Sequence, residues 1–256
     1  MKKISCNEAT AARLFDYCEQ LNKYEKITTQ CSFEDDDHFG FMCLCFMSKQ
    51  FDHLSAISRL FPHTDIQLVA RTMIEGLIQL IWCHASPENA YKWRSFAWIS
   101  DWRLLNFKRS CGQDIPESES IEVESALHKI GHLFQKRNAG GKSDPYHNNW
   151  RCGVSLKSIA NDFGGSQLYN LLYSDFSDWQ HWGVTSIGAQ IERSPSTVHY
   201  AQSITRGQLC SSLAVAFLCT YQMIEIVNDH FALGLEDDLE GLKKEYTSAN
   251  QESTQA

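Results

Sequence analysis

Apolar residues recur along most of the chain at the three-to-four-residue spacing of one helix face, and strict alternation bounded by hairpin turns is nearly absent. The pattern predicts an all-α fold, a single large bundle of about seven to eight helices. The first helix follows Asn7, an N-cap residue, and carries Ala11, Leu14, Phe15, Cys18 and Leu21. The acidic loop SFEDDDHFG leads to a second helix from about Phe41 to Phe61, which Pro62 ends. The third, DIQLVARTMIEGLIQLIWCHA, is apolar nearly all round, as expected of a central helix. A fourth starts at Ser86-Pro87 and stops before Gly112, and a fifth runs from Pro116 to about Lys136. The stretch NAGGKSDPYHNNWRCGV reads as a loop of lid character over residues 138–154. A short helix from Ser155 then stops at Gly164-Gly165, the helix SQLYNLLYSDFSDWQHW follows, and a second loop reaches Pro195. One long helix, from about Thr197 to Leu233, closes a domain spanning residues 1–234, and the charged and polar remainder, 235–256, reads as a flexible tail.

Composition narrows the class. The chain has 256 residues, 43% of them hydrophobic, enough for a full core without staples, and its 21% charged residues and five prolines exclude a disordered or collagen-like polymer. A net charge of −8 argues against a general phosphate-coating nucleic-acid binder, although a local basic patch is compatible with it. The ten cysteines show no paired CxxC, and the start MKKISCNEATAARLF has polar residues where a secretory signal has an apolar core. Most cysteines are therefore expected to be reduced, the compartment cytoplasmic, and a membrane span absent.

The most informative feature is polar. Arg71 and Glu75 stand four residues apart on a helix otherwise occupied by Val69, Met73, Ile74, Leu77, Ile78 and Ile81. Burial of either charge alone is expensive, so both need partners from another helix. The stretch from Gln167 to Trp182 offers them, because Tyr169, Tyr173, Ser177 and His181 recur every four residues beside the apolar stripe Leu168, Leu172 and Phe176. If the two ladders face each other, Glu75 accepts a hydrogen bond from His181 and Arg71 holds an anion or Glu75 itself. Either this is a site, or it is a buried network that fixes helix register.

The segment ARTMIE, a later Trp and YNLLYSDFSDWQH resemble the bacterial domain of unknown function 5677 family, with its Arg-x-x-x-Glu helix and its Tyr-x-x-x-Ser-x-x-x-His helix. The matching positions are Arg71 and Glu75, then Trp150, Tyr173, Ser177 and His181, and the resemblance covers about residues 51–221. More distantly, the helical pattern is similar to HEPN domains, which in many defence and toxin systems cleave RNA without a metal through an Arg and a His at a dimer cleft. Arg193 and His199 have five residues between them, although Pro195 departs from that motif.

Other constellations carry less. His128 and His132 lack the Glu of a zinc-protease motif and read as surface residues, and neither Cys83-His84 nor Cys43 with Cys45 has zinc-knuckle spacing. The fourth helix interleaves Tyr91, Trp93, Phe96, Trp98 and Trp102 with Lys92, Arg94, Arg103, Lys108 and Arg109, a composition that suits base stacking but also an ordinary core face with a solvated flank. No phosphate loop or nucleophile elbow is present. Two functions are therefore expected to compete. In the first, a metal-independent ribonuclease or toxin effector of bacterial anti-phage defence uses Arg71, Glu75, Ser177 and His181 catalytically. Trp150, Tyr173, Arg193 and His199 contact its RNA substrate. In the second, a non-enzymatic helical adaptor or regulatory subunit acts through homo- or hetero-oligomerisation, with a homodimer or another protein as partner. Neither reading requires a metal or other cofactor.

Overall fold

The computed structural model describes residues 8–137, 144–163, 165–181, 191–200 and 206–252, and the fold is all-α. Helix α1 (Glu8–Leu21) buries Ala11, Leu14, Cys18 and Leu21 along one stripe. After the short α2 (Ile27–Gln30), Asp37 caps α3 (His38–Leu60) by accepting the Gly40 N–H at 2.8 Å. The expected cap Asn7 lies outside the described residues. Helix α4 (Ile66–Ala85) is the central one, as its apolar circumference predicts: Ala70, Met73, Ile74, Leu77 and Leu80 are all fully buried.

The expected fourth helix is two. Helix α5 (Pro87–Ser95) and α6 (Ala97–Ser110) meet at Phe96. The break lets neighbouring aromatics serve different partners, Trp93 against Phe46 at 5.3 Å and Phe96 against Phe134 at 5.3 Å. Helix α7 (Glu117–Ile130) pairs with α6 and runs into a 3₁₀ turn, Gly131–Phe134, where a β-carbon on Gly131 would stand 3.0 Å from the Tyr146 hydroxyl. Arg103 on α6 ties down the following segment through Asp144 at 2.9 Å and the His147 carbonyl at 2.9 Å. The described part of the expected lid, 144–154, is thus anchored.

Helix α8 (Leu156–Asp162), capped by Ser155, leads into α9 (Ser166–Leu168), a π-helical turn (Tyr169–Tyr173) and α10 (Ser174–Gln180). The closing helix starts later than its pattern suggests. Residues Ile191–Arg193 (β1) and Val198–Tyr200 (β2) form an antiparallel ribbon, and α11 begins at Arg206 and runs to Phe231. Pro195 supplies the turn, Ser194 N–H reaches the Thr197 carbonyl at 2.9 Å, and Val198 and Tyr200 are strand formers.

The tail is a correction. Residues 236–252 form α12 (Glu236–Glu252) rather than a flexible end. Leu239, Leu242 and Tyr246 make a sparse helical stripe and are all buried, and Tyr246 stacks on Phe217 with centroids 4.0 Å apart. Helices α1, α3, α4 and α11 pack together as the bundle's centre. Segments Ile66–Ala85 and Gly207–Phe231 are long and apolar enough to cross a bilayer, yet 50% and 67% of those windows are buried inside this bundle. Cys210 is disulfide-bonded. Eight described cysteines are free, and burial pushes the Cys83 thiol up to about 12.

Candidate functional site

Helix α4 presents two polar surfaces. On the first, Arg71 donates from Nη2 to the Tyr173 hydroxyl at 2.7 Å, with its guanidinium carbon 4.6 Å from the centre of the same ring. Across the π-helical turn Tyr173 stacks on Tyr169, centroids 4.8 Å apart. Burial pushes the Tyr173 hydroxyl up from its ordinary range and Glu75 adds to the rise, against the opposing pull of Arg71 and Arg151. The phenol is therefore protonated at neutral pH. Its oxygen accepts from Arg71, which leaves its hydrogen for another acceptor.

Of the residues singled out from the sequence, the structure brings Arg71, Glu75 and Tyr173 together, and it adds Arg151, which the sequence reading did not name. The only signal for Arg151 is its place beside Trp150. Two guanidinium atoms in this cluster, Arg71 Nε and Arg151 Nη1, are buried without a hydrogen-bond partner. Buried donors on a cation are rarely left so. Among the described residues no ion pair joins Glu75 to Arg71. Gln79 donates from its side chain to the Glu75 carbonyl at 3.2 Å and accepts from Trp150 Nε1 at 3.1 Å. Trp150 is buried against Trp82, so it positions Gln79 rather than reaching a ligand from solvent.

His181 does not join the cluster. Its side chain is exposed, and among the described residues no hydrogen bond links it to Glu75; only its backbone N–H is engaged, to the Ser177 carbonyl at 3.1 Å. The reason is helical rise: eight residues beyond Tyr173 carry it about 12 Å along the axis, whereas Arg71 and Glu75 span a single turn. Ser177 is half-buried one turn past Tyr173. Nor does the ribbon set Arg193 opposite His199. Arg193 pairs with Val198 and His199 with Glu192, and His199 is exposed with Nε2 3.0 Å from Thr197 Oγ1. The side chain of Arg193 lies outside the described residues. His128 and His132 are exposed. On α6, Lys108 and Arg109 are paired with Glu119 and Glu124.

The second surface of α4 faces α3. There a cavity of about 460 Å³ is lined by Phe46, Gln50, His53, Glu75, Gln79 and Trp93, and it opens past the exposed Cys45, Lys49 and Thr72. Gln50 is 2% exposed and its Nε2 has no partner. Burial, then the neighbouring Lys49, lowers the pKa of His53 and favours the neutral imidazole. Glu75 borders both this cavity and the Tyr173 cluster. Among the described residues no three His, Cys, Asp or Glu side chains converge as a metal site would require.

A family model described as "Family of unknown function (DUF5677)" matches residues 40–197, a span holding the whole of both surfaces of α4 except Met223, which α11 adds to the cavity wall. No curated protein and no solved structure matches the chain.

Proposed function

The chain belongs to the family of unknown function DUF5677, and within it we propose that this protein is a metal-independent ribonuclease, an effector of bacterial defence, whose scissile phosphate lies against Arg71 and Arg151. The observation that carries the reading is the pair of buried, unpartnered guanidinium donors beside a protonated tyrosine and a carboxylate, Glu75, that forms no ion pair among the described residues. A phosphodiester has the acceptor oxygens those donors lack. In the reaction, Glu75 takes the proton of the ribose 2′-hydroxyl as its oxygen attacks phosphorus. The bond to the 5′-oxygen breaks, and that oxygen takes the Tyr173 proton, leaving a 2′,3′-cyclic phosphate and a 5′-hydroxyl. Arg71 and Arg151 stabilise the charge of the pentacoordinate phosphorus. Return of the proton from Glu75 to Tyr173 restores the site. RNA, which carries the attacking 2′-hydroxyl, is the substrate this chemistry needs.

The expected role of His181 as base is replaced here by Glu75, because His181 stands apart from the reacting groups. The test is cleavage of RNA and tRNA in EDTA by the wild type and by Glu75→Gln, Arg151→Met and His181→Ala, with unfolding midpoints for each. Glu75→Gln should lose on the order of 10²-fold or more in rate, the usual worth of a positioned general base, in a folded protein. His181→Ala should keep its activity. Full activity in Glu75→Gln, or loss of it in EDTA, refutes the assignment. A second reading, the helical adaptor, is favoured by the exposed Leu104 and Phe107 of α6 and Ile121 of α7. A wild type that cleaves no RNA and binds no phosphate would leave that reading standing.

A further inference from the structure

The cavity between α3 and α4 is a second built site, and its chemistry differs from that of the guanidinium cluster. Gln50 is almost wholly buried, and its Nε2 faces no acceptor. Such a donor costs stability in the empty protein and is satisfied only by an acceptor brought in from outside. An alkyl chain cannot supply one. Phe46 and Trp93 meet edge to face, centroids 5.3 Å apart at 79°, so a flat ligand lying on one ring is bounded by the other. Opposite them α4 has a glycine. A β-carbon on Gly76 would come no nearer than 4.0 Å to Gln50 Oε1 and Phe46, so the absence of a side chain there keeps the space open. At about 460 Å³ the cavity falls within the range of small-molecule pockets.

We infer that this cavity receives the nucleobase of the bound nucleotide, stacked against Phe46 or Trp93 and hydrogen-bonded by Gln50. Every base has an aromatic face and a ring or exocyclic acceptor for the Gln50 amide. The order of groups from α3 across to α4 matches the order along a nucleotide: Gln50 of α3 at the base, Glu75, which borders both surfaces, at the ribose, and Arg71 at the phosphate. The choice of a nucleotide rests on the reading of Arg71 and Arg151 as phosphate ligands, and the neutral imidazole of His53 lines the same space.

Calorimetric titration separates the two sites. The probes are the four nucleosides, their 3′-monophosphates and inorganic phosphate, with wild type, Gly76→Leu, Gly76→Ala, Gln50→Leu and Arg151→Met. At least one nucleoside should bind the wild type. Gly76→Leu, which fills the cavity while strengthening the helix, should weaken that binding more than tenfold and leave phosphate binding unchanged. Gly76→Ala should stay within about threefold, because its methyl meets only ordinary contacts. Gln50→Leu should lose about tenfold, the worth of one buried hydrogen bond. Failure of every nucleoside to bind, or equal affinity in Gly76→Leu, overturns the cavity assignment even where phosphate binds. Nucleoside binding, with the 3′-monophosphates binding no tighter than the nucleosides and no less tightly in Arg151→Met, supports the cavity and overturns the phosphate reading instead.

Discussion

Replacing Tyr173 with Phe tests the cluster at its best-defined contact. The change removes one oxygen, the acceptor of the 2.7 Å bond from Arg71, and keeps the ring that lies 4.6 Å from the guanidinium and 4.8 Å from Tyr169. The cation–π contact and the stack therefore survive, and the loss is that of a single charge-assisted hydrogen bond. Such bonds are worth about 1.5–3 kcal/mol when buried, and because Tyr173 is half-buried, water replaces part of it. The expected cost is about 1–2 kcal/mol, or a melting point lower by about 2–8 °C for a chain of this size. A double-mutant cycle with Arg71→Met isolates the term. In the Arg71→Met background, Tyr173→Phe should cost almost nothing, giving a coupling of about 1–2 kcal/mol. Phosphate should raise the melting point of the wild type and of Tyr173→Phe, and leave Arg71→Met unmoved. Equal costs of Tyr173→Phe in both backgrounds would show that the hydroxyl does not hold Arg71, and the cluster would lose its geometric basis.

Two further outcomes concern the scaffold. Burial would raise the Asp37 carboxyl, but the Gly40 N–H and the imidazole of His230, 2.8 Å away, hold it below its ordinary range. A depressed folded-state pKa stabilises above the unfolded carboxylate range of about 3.9, and that contribution is lost as pH falls through the folded value. Thermal melts from about pH 6 to pH 3 should therefore show a steeper acid loss for the wild type than for Asp37→Asn, and parallel curves would contradict the pairing. Tyr246→Ala removes the ring stacked on Phe217 and should cost about 3 kcal/mol in denaturant unfolding. No change in midpoint would restore the flexible tail that the charge pattern suggests.

Periodicity made α3 and α4 legible because their apolar faces are dense, and the polar pair Arg71 and Glu75 stood out against that density. The same reasoning failed on α12, where three buried residues in a charged segment look like noise until Phe217 and Tyr221 are seen to receive them. It also failed at the ribbon, where Val198, His199 and Tyr200 are compatible with the first turn of a helix as well as with a strand, and only the pairing with residues 191–193 decides. The expected contact of His181 with Glu75 rested on four-residue spacing carried over two turns. Spacing establishes that side chains share a face, but not that a ladder of that length can converge on one partner. Gln50 has no sequence signature, and Arg151 has none beyond its place beside Trp150: an unpaired donor is a property of surroundings, and both sets of surroundings are assembled from distant segments.

One helix serves both sites because of its pitch. Arg71, Glu75 and Gln79 follow one another every four residues, and at 3.6 residues per turn each step advances the stripe by about 40° around the axis. Over two steps the stripe swings about 80° and climbs about 12 Å, so it cannot address a single neighbour. Arg71 meets Tyr173, Gln79 meets Trp150 and the cavity, and Glu75 falls between them, bordering both. A substitution at Arg71 or at Gly76 should therefore disturb one side of α4 alone. Glu75 is the position at which a change in one side chain is felt on both, which is why the proposed reading gives that carboxylate the group joining a base to its phosphate.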